Sequence, residues 1–275
     1  MGMSGKRVRR RRRIYKKLVL RGFRQGISRF LAIFAIVALG VGFFVGIIAT
    51  APDMRLSSDR YYDGTDMMDV RVVSTLGLTE TDVDAVRALA GIDRVMPAYS
   101  ADVLLLTEQD DTAVTRLHSL PDADETALNR VELIEGRMPE SPGECVIETG
   151  GYLFSVPIEI GDTLTVSDDN DDLTDTLAVD SFTVVGTVKS AYYFSIEREH
   201  STVGSGTVEL ILYTQQRSFS LEVYTDIFAT VSGAQALNCF SDEYGELVGN
   251  TTDELETLAA AREAARRDEL VADAR

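Results

Sequence analysis

The side chains that could do chemistry are few and scattered along the 275 residues. The two histidines, His118 and His200, do not fall in the HxxxH or HExxH spacing of a zinc site. Ser195, Glu197 and His200 provide the residue types of a hydrolase, but no neighbouring sequence predicts an oxyanion hole or a strained nucleophile turn. The sequence contains no GxSxG motif, no GxxxxGK[ST] motif and no GxGxxG motif after a predicted strand. The sequence therefore predicts no catalytic residues and no enzyme.

Two short segments superficially match ligand-binding loops. Residues 168–172 (DDNDD) offer the hard oxygen ligands that calcium prefers, but they lack the glycine and the distant glutamate of an EF-hand loop. We interpret them as a solvated hairpin tip, with a calcium site as the alternative. Gly204, Ser205 and Gly206 lack the lysine and the following helix of a phosphate loop, and we interpret them as a turn. We predict no metal site and no cofactor.

The chain has two cysteines, Cys145 and Cys239, which are too few for a disulfide framework. Two buried free thiols are the simpler interpretation. One bridge outside the cell is the alternative.

Charge is divided unevenly along the chain. The net charge is −17, yet twelve of the 27 Lys and Arg residues lie in residues 1–29, and all 44 acidic residues follow that segment. A basic tail in front of an acidic remainder indicates that the two parts face different surroundings.

Residues 30–49 (FLAIFAIVALGVGFFVGIIA) contain no charged residue, Asn, Gln or Pro. Twenty helical residues span about 30 Å, which is the thickness of the hydrocarbon layer. Lipid offers no hydrogen-bonding partner to the backbone, so a spanning segment must be helical. Basic residues precede this segment and acidic residues dominate after it, so the positive-inside rule places the N-terminus in the cytoplasm and the remainder outside.

Three other interpretations of the N-terminal region are less favourable. A cleaved signal peptide fits Ala49-Thr50-Ala51, but the apolar run is longer than a typical signal core and Pro52 follows the cleavage position. A nucleic-acid-binding arm is less simple than a topology signal that contacts anionic lipid. The length and flanks of the apolar run argue against the core helix of a soluble protein.

The membrane segment and its approach have features that each permit two interpretations. Ala38, Gly42 and Gly46 form a small-residue stripe, which either packs against a partner helix or has no specific role. Residues 14–28 are partly amphipathic, and they form either a helix on the inner membrane surface or an extension of the span.

Residues 51–250 alternate between strand and helix patterns, which predicts an α+β domain with a mixed, mostly antiparallel sheet. A strand at 69–74 precedes a helix that Thr79 and Asp82 cap and Gly91 ends, and an extended stretch at 95–107 is broken at Pro97, giving a βαβ-like unit. Further strands are predicted at 145–148, 162–167, 176–189, 208–214 and 226–232, with a helix at 235–248.

Residues 251–275 form the last predicted segment, after the tail at 1–29, the membrane helix at 30–50 and the domain at 51–250. High helix propensity with sparse hydrophobicity predicts a long exposed helix, or one arm of a coiled coil. Its rough apolar seam contains Leu255, Leu258, Arg262, Ala265 and Leu270. No stop signal follows, so we expect this helix to continue in a longer protein.

Four stretches together resemble the FtsX-like and MacB-like permease subunits of ABC transporters. They are residues 28–55, 69–89 (DVRVVSTLGLTETDVDAVRAL), 135–148 (EGRMPESPGECVIE) and 182–213. The resemblance extends from about Tyr15 to Glu263, and it depends on the order and spacing of the stretches.

This resemblance implies an N-terminal part of a plasma-membrane permease, with a first membrane helix, an extracytoplasmic domain and the start of a helical hairpin. A separate cytoplasmic ATP-binding subunit would drive it, while the permease itself would have no catalytic residues, metal or cofactor. The implied partners are membrane lipid, that subunit and other permease transmembrane helices, including those of a second copy in a dimer, but no nucleic acid. The alternatives are a standalone single-pass extracytoplasmic binding module and a secreted enzyme.

Overall fold

The computed structural model describes residues 4–108, 110–121, 126–148, 158–171, 173–193 and 200–273, with the side chains of residues 4–25, 270, 272 and 273 excepted. Several predictions concern positions outside this part. They are the basic side chains up to Arg24, Asp172, Ser195, Glu197, the Leu270 side chain and the last two residues. The chain divides into two compact units, Met1–Ser57 and Ser58–Arg275.

The first unit is helical. Helix α1 covers Ser4–Gly64, so residues 14–28 extend the apolar helix without interruption. Its Gly26–Gly64 part has a window of mean hydropathy 2.8 and could cross a membrane by its length and composition. Helix α1 continues through Pro52, beyond the predicted membrane segment at 30–50. A proline removes one backbone hydrogen bond, a loss that membrane helices tolerate.

The described residues of the second unit contain the end of α1, ten strands, two further α-helices and short 3-10 turns. In chain order these are β1 Val70–Leu78, α2 Glu80–Arg87, β2 Ile92–Ala98, β3 Ser100–Leu106, β4 Thr112–Leu120, β5 Val131–Gly136, β6 Glu144–Glu148, β7 Thr163–Val166, β8 Ser181–Ser190, β9 Leu210–Gln215, β10 Tyr224–Val231 and α3 Asp242–Asp273. β4–β9 and β6–β8 are the parallel pairs, and the other strand pairs are antiparallel. The predicted α+β class with a mixed, mostly antiparallel sheet is confirmed.

Sheet A contains three strands in the order β1-β10-β2, with β10 antiparallel to both neighbours. Helix α2 connects β1 to β2, and its cap is the predicted one, since the Thr79 backbone N–H and hydroxyl both donate to Asp82 Oδ2. Gly91, with a φ of +95°, follows α2 in the left-handed region as expected. The predicted βαβ-like unit is therefore split, because β10 lies between the two strands that α2 connects.

The other strands form a small barrel. The order β8-β6-β9-β4-β3-β7 closes on itself because β7 pairs with β3 on one side and with β8 on the other. β7 and β8 are the predicted hairpin, although β8 begins at Ser181 and not at Thr176. Closure leaves β5 as a flap beside the last residues of β8. The interior contains Val103, Leu105, Leu117, Cys145, Phe182 and Leu212.

Two other predicted boundaries are wrong. The extended stretch at 95–107 breaks at Tyr99, and Pro97 lies within β2, where an edge strand tolerates the missing N–H group. The predicted helix at 235–248 begins only at Asp242, because Gly233 has a φ of +85° and starts a 3-10 turn. Helix α3 then continues through Gly249 to Asp273, so the two predicted C-terminal helices are one.

An aromatic cluster joins sheet A to the barrel. His118 of β4 is buried, its Nε2 lies 2.6 Å from Tyr193 Oη, and its ring stacks on Tyr213 at 5.5 Å. Tyr192 packs edge-on against His118 and against Phe228 of β10. Burial lowers the pKa of His118 to about 4, and the positive charges of nearby arginines act in the same direction. The ring is therefore neutral at pH 7 and serves as a packing group.

The His118 pKa leads to a prediction about stability. The unfolded chain binds a proton at His118 below about pH 6.5 while the folded chain does so only near pH 4, so stability falls as pH decreases through that window. The loss is about 3 kcal/mol in the free energy of unfolding. Urea unfolding of the purified chain, followed by circular dichroism, measures it. His118→Gln should flatten this profile between the two pH values, whereas exposed His200→Gln should leave it unchanged; equal profiles for all three proteins would contradict the assignment.

Candidate functional site

The residues singled out by chemical type do not come together. His118 is in the barrel wall, whereas His200 is exposed and forms an isolated bridge with Thr207. Gly204 and Gly206 lie in a turn, as predicted. Asn170 in the acidic loop bonds to the backbone of Leu104, which gives this loop a structural role. Within the described part of the chain, no three His, Cys, Asp or Glu side chains are grouped so that they could hold a metal ion.

The cysteines are free in the structure. Cys145 is in the barrel core, where burial raises the pKa of its thiol far above the usual value. Cys239 is half-buried before α3, where burial and the Asp59 carboxylate raise the pKa of its thiol to about 11. Both thiols are therefore protonated at neutral pH and poorly reactive.

A group of polar contacts lies where the chain leaves α1 and enters β1. The Thr65 hydroxyl donates to the carbonyl of Tyr61 at 3.0 Å, and the Met67 N–H donates to the carbonyl of Tyr62 at 3.0 Å. These bonds occupy carbonyls that a helix end otherwise leaves unpaired. Asp66 then adopts a φ of +49°, which turns the chain towards β1.

Asp66 connects this turn to two distant segments. Its carboxylate accepts from Arg94 Nη2 at 2.6 Å and from Arg130 Nε at 3.0 Å. Its carbonyl accepts from the N–H of Asn129 at 2.9 Å, and the carbonyl of Thr65 accepts from the N–H of Arg130 at 2.8 Å. Asp66 thereby connects the end of α1 to β2 and to the segment before β5.

Asp69 and Asp59 make similar connections to the C-terminal elements. Asp69 accepts from the N–H of Val231 at 2.7 Å and from the Tyr244 hydroxyl at 2.6 Å, so it joins the start of β1 to β10 and α3. Asp59 accepts from the N–H of Cys239 at 2.7 Å. Burial, and then the bond to Asp69, raise the pKa of Tyr244, which keeps this hydroxyl a donor.

We term the set Asp59, Asp66, Asp69, Arg94, Arg130 and Tyr244, with the segment 64–69, the junction. An ionised carboxylate accepts hydrogen bonds at two oxygens, so each aspartate can hold more than one element. The arrangement contains no nucleophile–base pair. It bonds the end of α1 and the start of β1 to β2, to β10, to α3 and to the segment before β5.

Comparison with known proteins identifies the domain. The sequence of residues 30–268 matches MacB_PCD, the MacB-like periplasmic core domain. The chain belongs to this family. The predicted resemblance to MacB-like permeases is thereby confirmed, and the MacB-like domain is the periplasmic domain of ABC-type transporter permeases. Among curated proteins, no sequence matches the chain.

Solved structures with a similar backbone include two transporter domains. The periplasmic region of MacB from Actinobacillus actinomycetemcomitans is 14% identical with a TM-score of 0.38, over 68% of this chain and 75% of that one. The extracellular domain of the noncanonic ABC-type transporter YknZ from Gram-positive bacteria is 13% identical with a TM-score of 0.35, over 66% of this chain and 87% of that one.

Sequence reasoning missed the junction of this MacB-like domain. Its signal was present, because Asp59, Asp63, Asp66 and Asp69 recur every three or four residues directly before the first strand. A flexible, solvated linker has the same composition, and only the partners of these carboxylates distinguish the two.

The junction predicts a large effect of Asp66→Asn. The substitution removes the charge from a carboxylate that is 25% exposed and bonded to two arginines, so we expect a loss of about 2 kcal/mol in the free energy of unfolding. Asp93→Asn is the matched control, because Asp93 is 64% exposed and its Oδ2 lies 4.0 Å from the same Arg94. It should change stability by less than about 0.5 kcal/mol. Urea unfolding measures both, and equal losses would contradict a special role for Asp66.

Proposed function

We propose that this chain is a permease subunit of an ABC transporter of the FtsX-like and MacB-like type, or its N-terminal part, and that it transmits motion from α1 to the MacB-like domain. A separate cytoplasmic subunit hydrolyses ATP. The chain itself is not an enzyme, and its task is mechanical coupling in transport or in the control of an extracytoplasmic partner.

The observation that carries this proposal is the junction. Helix α1 ends at Gly64 and β1 begins at Val70, so five residues separate them. Every one of these residues, from Thr65 to Asp69, donates or accepts a hydrogen bond within the domain. A solvated linker of this length would absorb a movement of the helix, whereas a fixed segment passes it on.

The contacts of the junction also determine which elements a movement of α1 would displace. Arg94 is in β2, Val231 ends β10 and Tyr244 is in the first turn of α3. Displacement of the α1 end therefore acts on both edges and on the centre of sheet A, and on the base of α3. The barrel moves with sheet A because the aromatic cluster around His118 joins the two.

The uneven distribution of charge supports an orientation with the N-terminus in the cytoplasm. The basic residues 1–29 lie on the cytoplasmic side under the positive-inside rule, where anionic lipid and the ATP-binding subunit are found. The MacB-like domain then lies outside the membrane. The Ala38, Gly42 and Gly46 stripe is available for other permease transmembrane helices, and an added Cβ at either glycine would meet no described atom within 4 Å.

The orientation predicts a pattern of chemical labelling. In a Cys239→Ser background, Asp168→Cys at the exposed hairpin tip should react with a membrane-impermeant maleimide in intact cells. Ser4→Cys should react only after the membrane is opened. The Cys239→Ser protein without an added cysteine retains only buried Cys145, and its labelling measures the background signal. The reverse pattern would overturn the orientation, and release of the domain as a shortened soluble protein would favour a cleaved signal peptide.

Coupling predicts an ATP-dependent movement of the outer domain. With spin labels at Asp168→Cys and Asp253→Cys in the same background, the distance between the barrel and α3 should change when ATP binds the partner subunit in nanodiscs. Asp66→Asn should reduce this change without abolishing ATP hydrolysis, because it loosens the junction and leaves the ATP site intact. Asp93→Asn should retain the change.

Two results would contradict this proposal. One is an unchanged distance in a complex that hydrolyses ATP. The other is full extracytoplasmic binding activity in cells without any ATP-binding partner, which would favour the standalone binding module.

A further inference from the structure

The face of sheet A opposite the helices meets the barrel. Side chains alternate between the two faces of a strand, and in β2 and β10 one set packs with α2 and α3. The other set, Met96, Ala98 and Phe228, packs with Leu128 and with Tyr192 of the segment after β8. The contact between the two parts of the domain therefore depends on a few side chains.

His118 lies on the barrel side of this boundary. Its ring contacts Tyr192 and Tyr213, and the Tyr192 ring contacts that of Phe228 in sheet A at 5.9 Å. A cavity of about 30 Å³ remains between His118, Met96 and Phe228. Atoms that face a cavity lack contacts on one side, so the two parts separate more easily here than across a filled core.

Both direct connections between the strands of sheet A and those of the barrel meet at Tyr99. Tyr99 alone links β2 to β3, and residues 216–223 link β9 to β10. The Tyr99 ring packs on Phe219 at 5.5 Å and on Tyr224 at 5.1 Å, so it contacts the second connection as well. Its N–H donates to Ser119 Oγ at 2.8 Å, and its carbonyl accepts from the Ser119 N–H at 2.9 Å. Tyr99 is thus fixed to the barrel and is the point about which sheet A can turn.

The charged groups near His118 form two ion pairs. Within the described part of the chain, no carboxylate bonds to the imidazole, whose Nε2 lies beside the Tyr193 hydroxyl. A proton on the buried ring would therefore lack a counter-ion of its own. The ion pairs are Arg71 of β1 with Asp226 of β10, and Arg116 of β4 with Asp102 of β3. The other titratable neighbours of the ring are Tyr192, Tyr193 and Tyr213.

We propose that the aromatic cluster around His118 is a pH-dependent contact, and that protonation of its imidazole separates sheet A from the barrel about Tyr99. Separation exposes the ring to water, which solvates the added charge. The consequence rests on the proposed function, in which this cluster makes the barrel move with sheet A. Extracytoplasmic acidity then sets how much of a movement of α1 reaches the barrel.

The environment of the ring determines the direction of the pH effect. Burial lowers the pKa of His118 to about 4 in the closed domain, whereas an exposed imidazole has a pKa of about 6.5. Between these values the open form binds a proton that the closed form does not, so a decrease in pH favours opening. From about pH 7.5 to about pH 5, the ratio of open to closed chains should rise about thirtyfold.

Thiol labelling of the full chain in nanodiscs, without the ATP-binding subunit, tests the proposal. Ala98→Cys in a Cys239→Ser background places a thiol in the boundary, where the native side chain is 3% exposed. Cys145 in the barrel core remains as the reporter of global unfolding. A pyridyl disulfide serves as the reagent, and labelling of the urea-unfolded chain at each pH corrects for the intrinsic reactivity of the thiols.

The thiol at position 98 should react faster than Cys145, and its corrected rate should rise about thirtyfold when the pH is lowered from about 7.5 to about 5. His118→Gln, which stays neutral, should reduce this rise to less than about twofold. His200→Gln is the matched control, because His200 is exposed, and it should retain the full rise. If His118→Gln does not fold, the comparison of the two thiols in the parent protein decides.

Three results would overturn the proposal. One is an equal corrected rate for position 98 and for Cys145, since the boundary would then open only in global unfolding. Another is a rate at position 98 that does not respond to pH. The last is a full rise in His118→Gln. The ATP-dependent distance change is measured separately at neutral pH, so the pH-dependent contact and the proposed coupling can fail independently.

Discussion

The carboxylate of Asp226 is the point on which sheet A and its attachment to the barrel both depend. It is 1% exposed, and it accepts hydrogen bonds from Arg71 Nε at 2.7 Å and from the hydroxyls of Ser100 and Thr225 at 2.6 Å. A buried charge is tolerated only when its partners are in place. Because Arg71 is in β1 and Ser100 begins β3, the Asp226 carboxylate of β10 bonds both to a neighbouring strand of sheet A and to the start of the barrel.

The junction applies the same chemistry where the domain follows α1. Asp59, Asp66 and Asp69 each accept from an element that is distant in sequence, so the end of α1 is held by β2, β10, α3 and the segment before β5. The bonds are short and partly shielded from solvent, so each contributes more to stability than a surface ion pair does. The last turns of α1, from Ser58 to Gly64, are therefore fixed to the rest of the MacB-like domain.

The barrel and sheet A differ in their edges. The barrel closes through β7 and β8, and it crosses β5 so tightly that a Cβ on Gly136, where φ is +80°, would lie 2.3 Å from the carbonyl oxygen of Val185. Only glycine fits there. Among the described residues, β1 and β2 are the outer strands of sheet A.

The sequence by itself determined the local features of this protein. The apolar run at residues 30–49, the Thr79–Asp82 cap, the stop at Gly91 and the hairpin of β7 and β8 all follow from neighbouring residues, because period, capping and turn chemistry act over a few positions. The α+β class follows from their succession. What only the tertiary structure decided depends on residues far apart in sequence. The insertion of β10 into the βαβ unit, the closure of the barrel, the continuity of α3 past Gly249 and the partners of Asp59, Asp66 and Asp69 are of this kind. The sequence pattern of a strand does not show which other strand it pairs with. A carboxylate in a short connecting segment is interpreted as solvent-exposed until the hydrogen-bond donors around it are known.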